Sequence, residues 1–397
     1  MNPFIAFITR ISISAAMTMV FIFPAYGQQN RAWNLNGYIT NMQSVMFDSL
    51  DNQWANSNLL HNRLNFFVYP SNNLKASIQL RNRFIYGDEI NQAPDYKNRM
   101  EEDKGWMDLT SNLSEGNSYL LHSTIDRLWL QYTLDNFEVT LGRQRINWGQ
   151  TFVWNPNDIF NVYSFFEVDY PERPGSDALR LQYYPSFTSA AEMAFKVDSA
   201  GDVTGAGYYR FNKWGYDMQF LAGVLNFEDY VLGTGWSGNL LNMSVRGEAS
   251  YFHSIDNYND TTGYFYLSLN AGYYFSNSLN LQGELLYNGL AADQNVSGFL
   301  EFYDRPLSVK NLSLSEWSVF VQGAYPVTPL INTSLSAMYL TDYNGFYFGP
   351  SVDFSLSDNA TFSFIYQYFQ GKFPDLATGL TIKQQFNLGF LRLKYSF

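Results

Sequence analysis

The 397-residue sequence predicts an all-β chain that closes into a transmembrane antiparallel β-barrel of about 18 strands (16–18). Three observations carry that expectation. Aromatic residues make up 18% of the chain, yet mean hydropathy is −0.23 and only 15% of residues are charged. An ordinary soluble domain is led by Leu and Ala, whereas a barrel wall needs an apolar outside, a polar inside and aromatic girdles. Apolar and polar residues alternate in short runs bounded by turn residues, as in Ala76, Ile78 and Leu80 against Ser77, Gln79 and Arg81. The chain also ends on an alternating face, Leu391, Leu393, Tyr395 and Phe397. Such a face must be covered, and lipid around a closed barrel covers it without leaving a strand edge unpaired.

Residues 1–27 read as an export signal, with Arg10 ahead of a short apolar stretch and small residues up to Gly27. The barrel domain is then expected over 28–397. Its first five strands are expected at 33–46, 59–69, 74–86, 123–134 and 137–147. The next eight are expected at 177–184, 189–197, 204–211, 216–225, 229–237, 241–253, 263–275 and 279–290. The last five are expected at 316–325, 330–341, 345–356, 360–370 and 384–397. Short turns such as Asp135–Asn136 and Ser357–Asn359 alternate with long links at 87–122, 148–176, 291–315 and 371–383. Short turns on the periplasmic side and long loops outside are the asymmetry expected of such barrels. A propeller would show blade-length repeats, and none is visible.

Face assignment turns the strands into a lumen map. Leu64, Phe66 and Val68 point to lipid, which sends His61, Arg63 and Asn65 inward. The same alternation sends Arg81, Arg83, Arg127 and Arg180 inward. Arg143 and Arg145 join them if a β-bulge sits at Gly142, because a charge on the lipid face costs about 2–4 kcal/mol at mid-membrane. This arginine group is the strongest functional signal in the chain. Free of partners it would attract anions; alternatively the arginines pair with Glu167, Asp169, Glu172 and Asp177 in or beside the link 148–176. That link carries Trp148, Trp154 and Asp158 among Phe152, Phe160, Tyr163, Phe165 and Phe166. So aromatic a segment is expected to fold into the barrel as a constriction.

Two resemblances follow. The C-terminal run ending in Phe397 resembles the closing strand that the outer-membrane assembly machinery reads, which implies that machinery as a partner. Gly142-Arg143-Gln144-Arg145-Ile146-Asn147-Trp148-Gly149, with Asn155-Pro156-Asn157-Asp158 and Arg173-Pro174-Gly175, resembles a segment of Gram-negative outer-membrane porins of the alginate-export type. The resemblance implies passive passage of saccharide-like solutes, acidic ones included, through an arginine-lined lumen.

Other classes find little support. The chain has no Cys, and removing Arg10 with the leader leaves 36 acids against 23 bases, a net charge of −13, which argues against nucleic acid as a partner. His61, His122 and His253 are the only histidines, and no Gly-x-Ser-x-Gly elbow or paired-histidine metal motif accompanies them. No enzyme activity, metal or cofactor is therefore expected. Asp256 to Asp260 reads as a solvated turn rather than a Ca²⁺ loop. The alternative function is a surface-display or adhesion barrel with a plugged lumen, whose contact would be loop 87–122 with Asp88, Glu89, Glu101, Glu102 and Asp103. Whether the barrel is a monomer or a trimer is left open.

Overall fold

The computed structural model describes residues 32–50, 54–92, 95–256, 258–291, 308–374 and 380–397. The signal segment 1–27 and parts of the links 291–315 and 371–383 lie outside the described residues.

The first strands are β1 (Trp33–Phe47), β2 (Ala55–Ser71) and β3 (Leu74–Gly87). Two short helices follow, α1 (Asp88–Gln92) and α2 (Tyr96–Glu101). The chain continues through β4 (Thr110–Gly116), β5 (Tyr119–Leu134), β6 (Phe137–Gln144), β7 (Ser176–Ser186) and β8 (Ser189–Val197). Next come β9 (Val203–Lys213), β10 (Tyr216–Leu225), β11 (Asp229–Leu240), β12 (Met243–Ser254), β13 (Tyr264–Tyr274) and β14 (Asn280–Asn288). The last are β15 (Trp317–Thr328), β16 (Ile331–Leu340), β17 (Gly345–Ser357), β18 (Ala360–Pro374) and β19 (Thr381–Ser396). Every pairing is antiparallel between neighbours, and β1 pairs with β19, so eighteen strands close the wall. The remaining strand, β4, pairs only with β5, above the point where β6 leaves it. The predicted link 87–122 is thus a folded excursion. Closure uses the last residue: Gly37 and Phe397 exchange both backbone hydrogen bonds, at 3.0 and 2.9 Å.

The lipid-facing alternation holds. Leu130, Tyr132, Phe137, Val139, Leu141, Phe265, Leu269, Val319 and Val321 are exposed on the outer wall, while Arg63, Ser268, Phe320 and Ser363 between or beside them are buried inside. The bulge expected at Gly142 takes another form. Pairing of β6 with β5 and β7 is unbroken there, and Gly142 instead adopts φ +112°. A Cβ at that position would stand 2.2 Å from the Leu128 carbonyl oxygen, so only glycine fits the twist that turns Arg143 inward. The inserted residue lies across the pair, on β5: Gln79 faces Arg127 and Leu80 faces Ile125, leaving Asp126 as the bulge. Asp126 and Arg127 are consequently both buried.

Candidate functional site: the constriction and its two walls

The segment between β6 and β7 folds into the lumen and divides it. Its first part lies against β8–β18. Trp148 stacks on Tyr208 at 5.1 Å, meets Phe160 edge-on at 4.9 Å, and donates its indole N–H to Glu192 at 3.1 Å. Phe165 and Phe166 pack on Phe320, Tyr347 and Phe369, and Trp154 is buried beside them. These contacts form two of the apolar clusters inside the barrel, and that packing gives the expected constriction its stiffness. A third cluster, around Met42, Leu59, Ile85, Leu120 and Phe390, lies under α1 and α2.

Two wall carboxylates seize the backbone of this part. Glu284 accepts the N–H groups of Phe152 at 2.8 Å, Val153 at 3.1 Å and Trp154 at 2.7 Å. Glu248 accepts those of Gln150, of Thr151 at 2.8 Å and of Asn157 at 3.0 Å. Both carboxylates are buried. Sequence reasoning passed over them. The signal present was a single acid on the inward face of its strand, a position too costly to leave unpartnered.

The second part, Glu167 to Arg173, lies against the basic wall. Asp169 bonds Arg81 at 2.7 Å and the His61 Nδ1 at 3.1 Å, and Tyr170 lies 3.9 Å beneath the Arg81 guanidinium. Tyr38 donates to Glu172 at 2.9 Å. Arg127 donates to the carbonyls of Asp126 at 2.8 Å, Glu172 at 3.1 Å and Arg173 at 2.6 Å. Arg392 donates to the Val168 carbonyl at 3.0 Å. Burial works against ionising Asp169, but the His61 hydrogen bond and the Arg81 guanidinium hold its carboxyl well below the usual range. Burial and the neighbouring Asp169 push Glu167 up, and burial, with the charge of Glu248 and against that of Arg145, carries Asp158, in the first part, to about 8.

The seven predicted arginines divide into two groups. Arg63 pairs with Asp126, Arg81 with Asp169, Arg143 with Asp177 and Asp103 at 2.7 Å each, and Arg180 with Glu192 at 2.6 Å. Of the four acids offered as partners, Asp169 and Asp177 make close pairs. Glu172 stands 4.0 Å from Arg63, and Glu167 has no ion pair among the described residues. Asp103, Asp126 and Glu192 were not foreseen in this role. By contrast, no ion pair forms at Arg83, Arg127 or Arg145 among the described residues, and the Nε atoms of Arg83 and Arg145 are buried without a partner. Arg173, absent from the sequence-derived arginine group, joins them: it holds φ +62° and its guanidinium lies 4.2 Å over the Tyr163 ring. Burial and the charge of Arg173, opposed by that of Asp158, pull Arg145 below its ordinary value.

Outside the constriction lies a cavity of about 580 Å³ whose lining includes Lys104, Arg143, Glu167, Tyr170 and Lys196. The excursion carrying α1 and α2 borders it, and three of the acids proposed as an adhesive contact are engaged internally. Asp88 accepts the Asn56 N–H at 3.0 Å, Glu101 accepts from Asn112, and Asp103 holds Arg143. His122 is buried and bonded to Asn112, Thr110 and Thr124 because β4 covers it. No cluster of potential metal ligands occurs among the described residues.

No protein-family model and no curated protein matches the chain. Solved structures do. OccAB3 of Acinetobacter baumannii aligns with a TM-score of 0.58 at 9% identity, covering 92% of this chain and 99% of that one. OccAB1 of the same organism gives 0.57 at 10% identity, covering 92% and 96%. Pseudomonas aeruginosa OprD gives 0.56 at 8% identity, covering 92% and 95%. At such identities the likeness is one of fold, and that fold is the eighteen-stranded outer-membrane β-barrel of porins.

Proposed function

We propose that the chain is a passive outer-membrane channel whose constriction favours small anions, with carboxylate-bearing saccharides among the solutes it admits. The observation that carries this reading is the division of the arginines. Most wall guanidiniums are consumed by carboxylates, while Arg145 and Arg173 sit together at the constriction with no ion pair among the described residues. In a narrow passage walled by low-dielectric aromatic groups, two neighbouring cations create a local positive potential whatever the net charge of the chain. Selection is then electrostatic and steric, with neither covalent chemistry nor energy input. The resemblance of the 142–175 segment to alginate-export porins supports acidic saccharides as the solute class, and rests on those residues alone.

Reversal potentials in planar bilayers test it. The wild-type channel should favour chloride over potassium, and Arg145→Gln with Arg173→Gln should move the reversal potential toward cation preference. A cation-selective wild type left unchanged by the double variant would overturn the anion reading and leave the channel reading standing.

A second reading, a display or adhesion barrel with a plugged lumen, is favoured by one observation: the 148–166 segment is packed into two apolar clusters against the wall. The same bilayers separate the two, because a plugged barrel conducts no ions.

A further inference from the structure

The periplasmic rim has two unlike halves. Five consecutive turns carry an apolar residue, in order around the barrel: Phe187, Trp214, Leu241 and Leu330 at their tips, and Phe275 at the base of the Ser276–Ser278 turn. The other three, at Asp358–Asn359, Asn72–Asn73 and Asp135–Asn136, are wholly polar. The apolar tips are not tucked away: Phe187 is 111% exposed, Leu241 85% and Trp214 82%. Two of them hold a backbone that bulky side chains avoid. Trp214 has φ +58° and Leu241 has φ +49°, in two-residue hairpin turns where Asn or Gly would be the unstrained choice. A strained, fully exposed Trp and Leu at turn tips need a partner to account for them.

Strand length says what that partner is. The strands joined by the apolar turns, β7 to β16, run 9 to 12 residues, and β6, on the polar Asp135–Asn136 turn, runs 8. Those of the polar half, β17 to β19, β1 to β3 and β5, run 13 to 17. At ~3.3 Å per residue and the usual tilt of roughly 40°, ten residues climb about 25 Å, which is the height of the apolar band itself. The short strands have no length to spare, so their turns end at the edge of the hydrocarbon. Lipid-facing Tyr183, Leu240 and Tyr273 stand next to these tips on the outer wall. Lys213, 4.5 Å over the Trp214 ring, supplies the cation that commonly accompanies an interfacial Trp.

We propose that the apolar half of the periplasmic rim is seated in the phospholipid headgroup layer of the inner leaflet, so that the barrel stands tilted with its polar turns in water. The lipid surface is the partner of these tips. The proposal rests on the outer-membrane fold alone and is independent of what the channel passes.

Because the chain has no cysteine, single nitroxide labels can be placed cleanly at Phe187→Cys, Trp214→Cys, Leu241→Cys, Asn72→Cys and Asp358→Cys. In phospholipid vesicles the first three should show a several-fold higher ratio of oxygen to water-soluble nickel collisions than the last two. Equal ratios at all five sites would overturn the proposal, and would leave the patch to a soluble periplasmic partner. A second measurement needs no label. The emission difference between wild type and Trp214→Phe isolates Trp214, which lipid brominated near the headgroup should quench and aqueous iodide should not. Quenching by iodide alone would likewise overturn it, and normal ion conductance in the same preparation would show that the channel reading had not failed with it.

Discussion

The two walls of the lumen hold one inserted segment by different chemistry. On the basic side, loop side chains meet wall side chains, Asp169 with Arg81 and His61 and Glu172 with Tyr38, while Arg127 and Arg392 hold loop carbonyls. On the opposite side, Glu248 and Glu284 grip loop backbone, while aromatic rings fill the space between. The first arrangement depends on which residues the loop carries. The second depends only on where its N–H groups point. A backbone grip therefore fixes the course of the segment while leaving its side chains free to vary, and a charge pair fixes both. The difference explains where selectivity can reside. Guanidiniums bound to carboxylates are lost to solutes, and on the proposed reading those left without an ion pair among the described residues, Arg145 and Arg173 at the two ends of the segment among them, are the ones a solute would meet.

The hardest test of this contrast removes the backbone grip. Glu248→Ala with Glu284→Ala strands six N–H groups, four of them buried, and each buried one costs about 1–3 kcal/mol when left without an acceptor. The 150–157 segment should leave the wall, and single-channel conductance should rise several-fold while the folded barrel persists. Unchanged conductance would mean that aromatic packing alone holds the segment, and that the two carboxylates are incidental to it.

Asp169→Asn probes the other wall and should act more locally. Breaking a buried pair by removing one partner costs about 3–5 kcal/mol because the remaining charge stays buried. Here the released group is Arg81, beside the uncompensated Arg83. Anion preference should therefore increase, with a smaller change in conductance than the glutamate pair produces. Adding Arg81→Gln should reverse that increase. If selectivity is unmoved, Arg81 lies out of reach of passing ions.

The barrel itself was legible because its signal is periodic and long. The apolar alternation of Phe265, Leu267 and Leu269, repeated around the sheet, fixes inside and outside strand by strand. The closing strand to Phe397 was legible for the same reason. The site was legible only by composition. Alternation shows that Arg63 and Arg81 point inward, but not that Asp126 is waiting beside Arg63, because Asp126 reaches the lumen through a bulge that breaks the very period being read. Arg143 shows the same limit, since its inward turn depends on one positive φ at Gly142. Asp103 reaches Arg143 from the far end of a forty-residue separation, and Glu284 reaches Trp154 across more than a hundred. Such contacts follow from the path of a loop with no period of its own.

The smallest predicted effect uses pH to separate the two walls without mutation. Asp158, between Trp148 and the Glu248 grip, binds its proton more tightly folded than unfolded, since burial raises its carboxyl to about 8 against an ordinary value of ~3.9. Its stabilising contribution is then full below about pH 4 and is lost as pH climbs toward 8. Asp169 has the opposite sign. Held below the ordinary range, it contributes stability that is full above about pH 4 and is lost as pH falls through its lowered value. Alkali should thus loosen the aromatic side of the segment, and strong acid the basic side. Conductance recorded from pH 4 to pH 9 should drift upward toward the alkaline end, and Asp158→Asn should flatten that drift. A drift that survives Asp158→Asn would place the titrating group elsewhere in the segment, with Glu167, raised by burial and by Asp169, the next to replace.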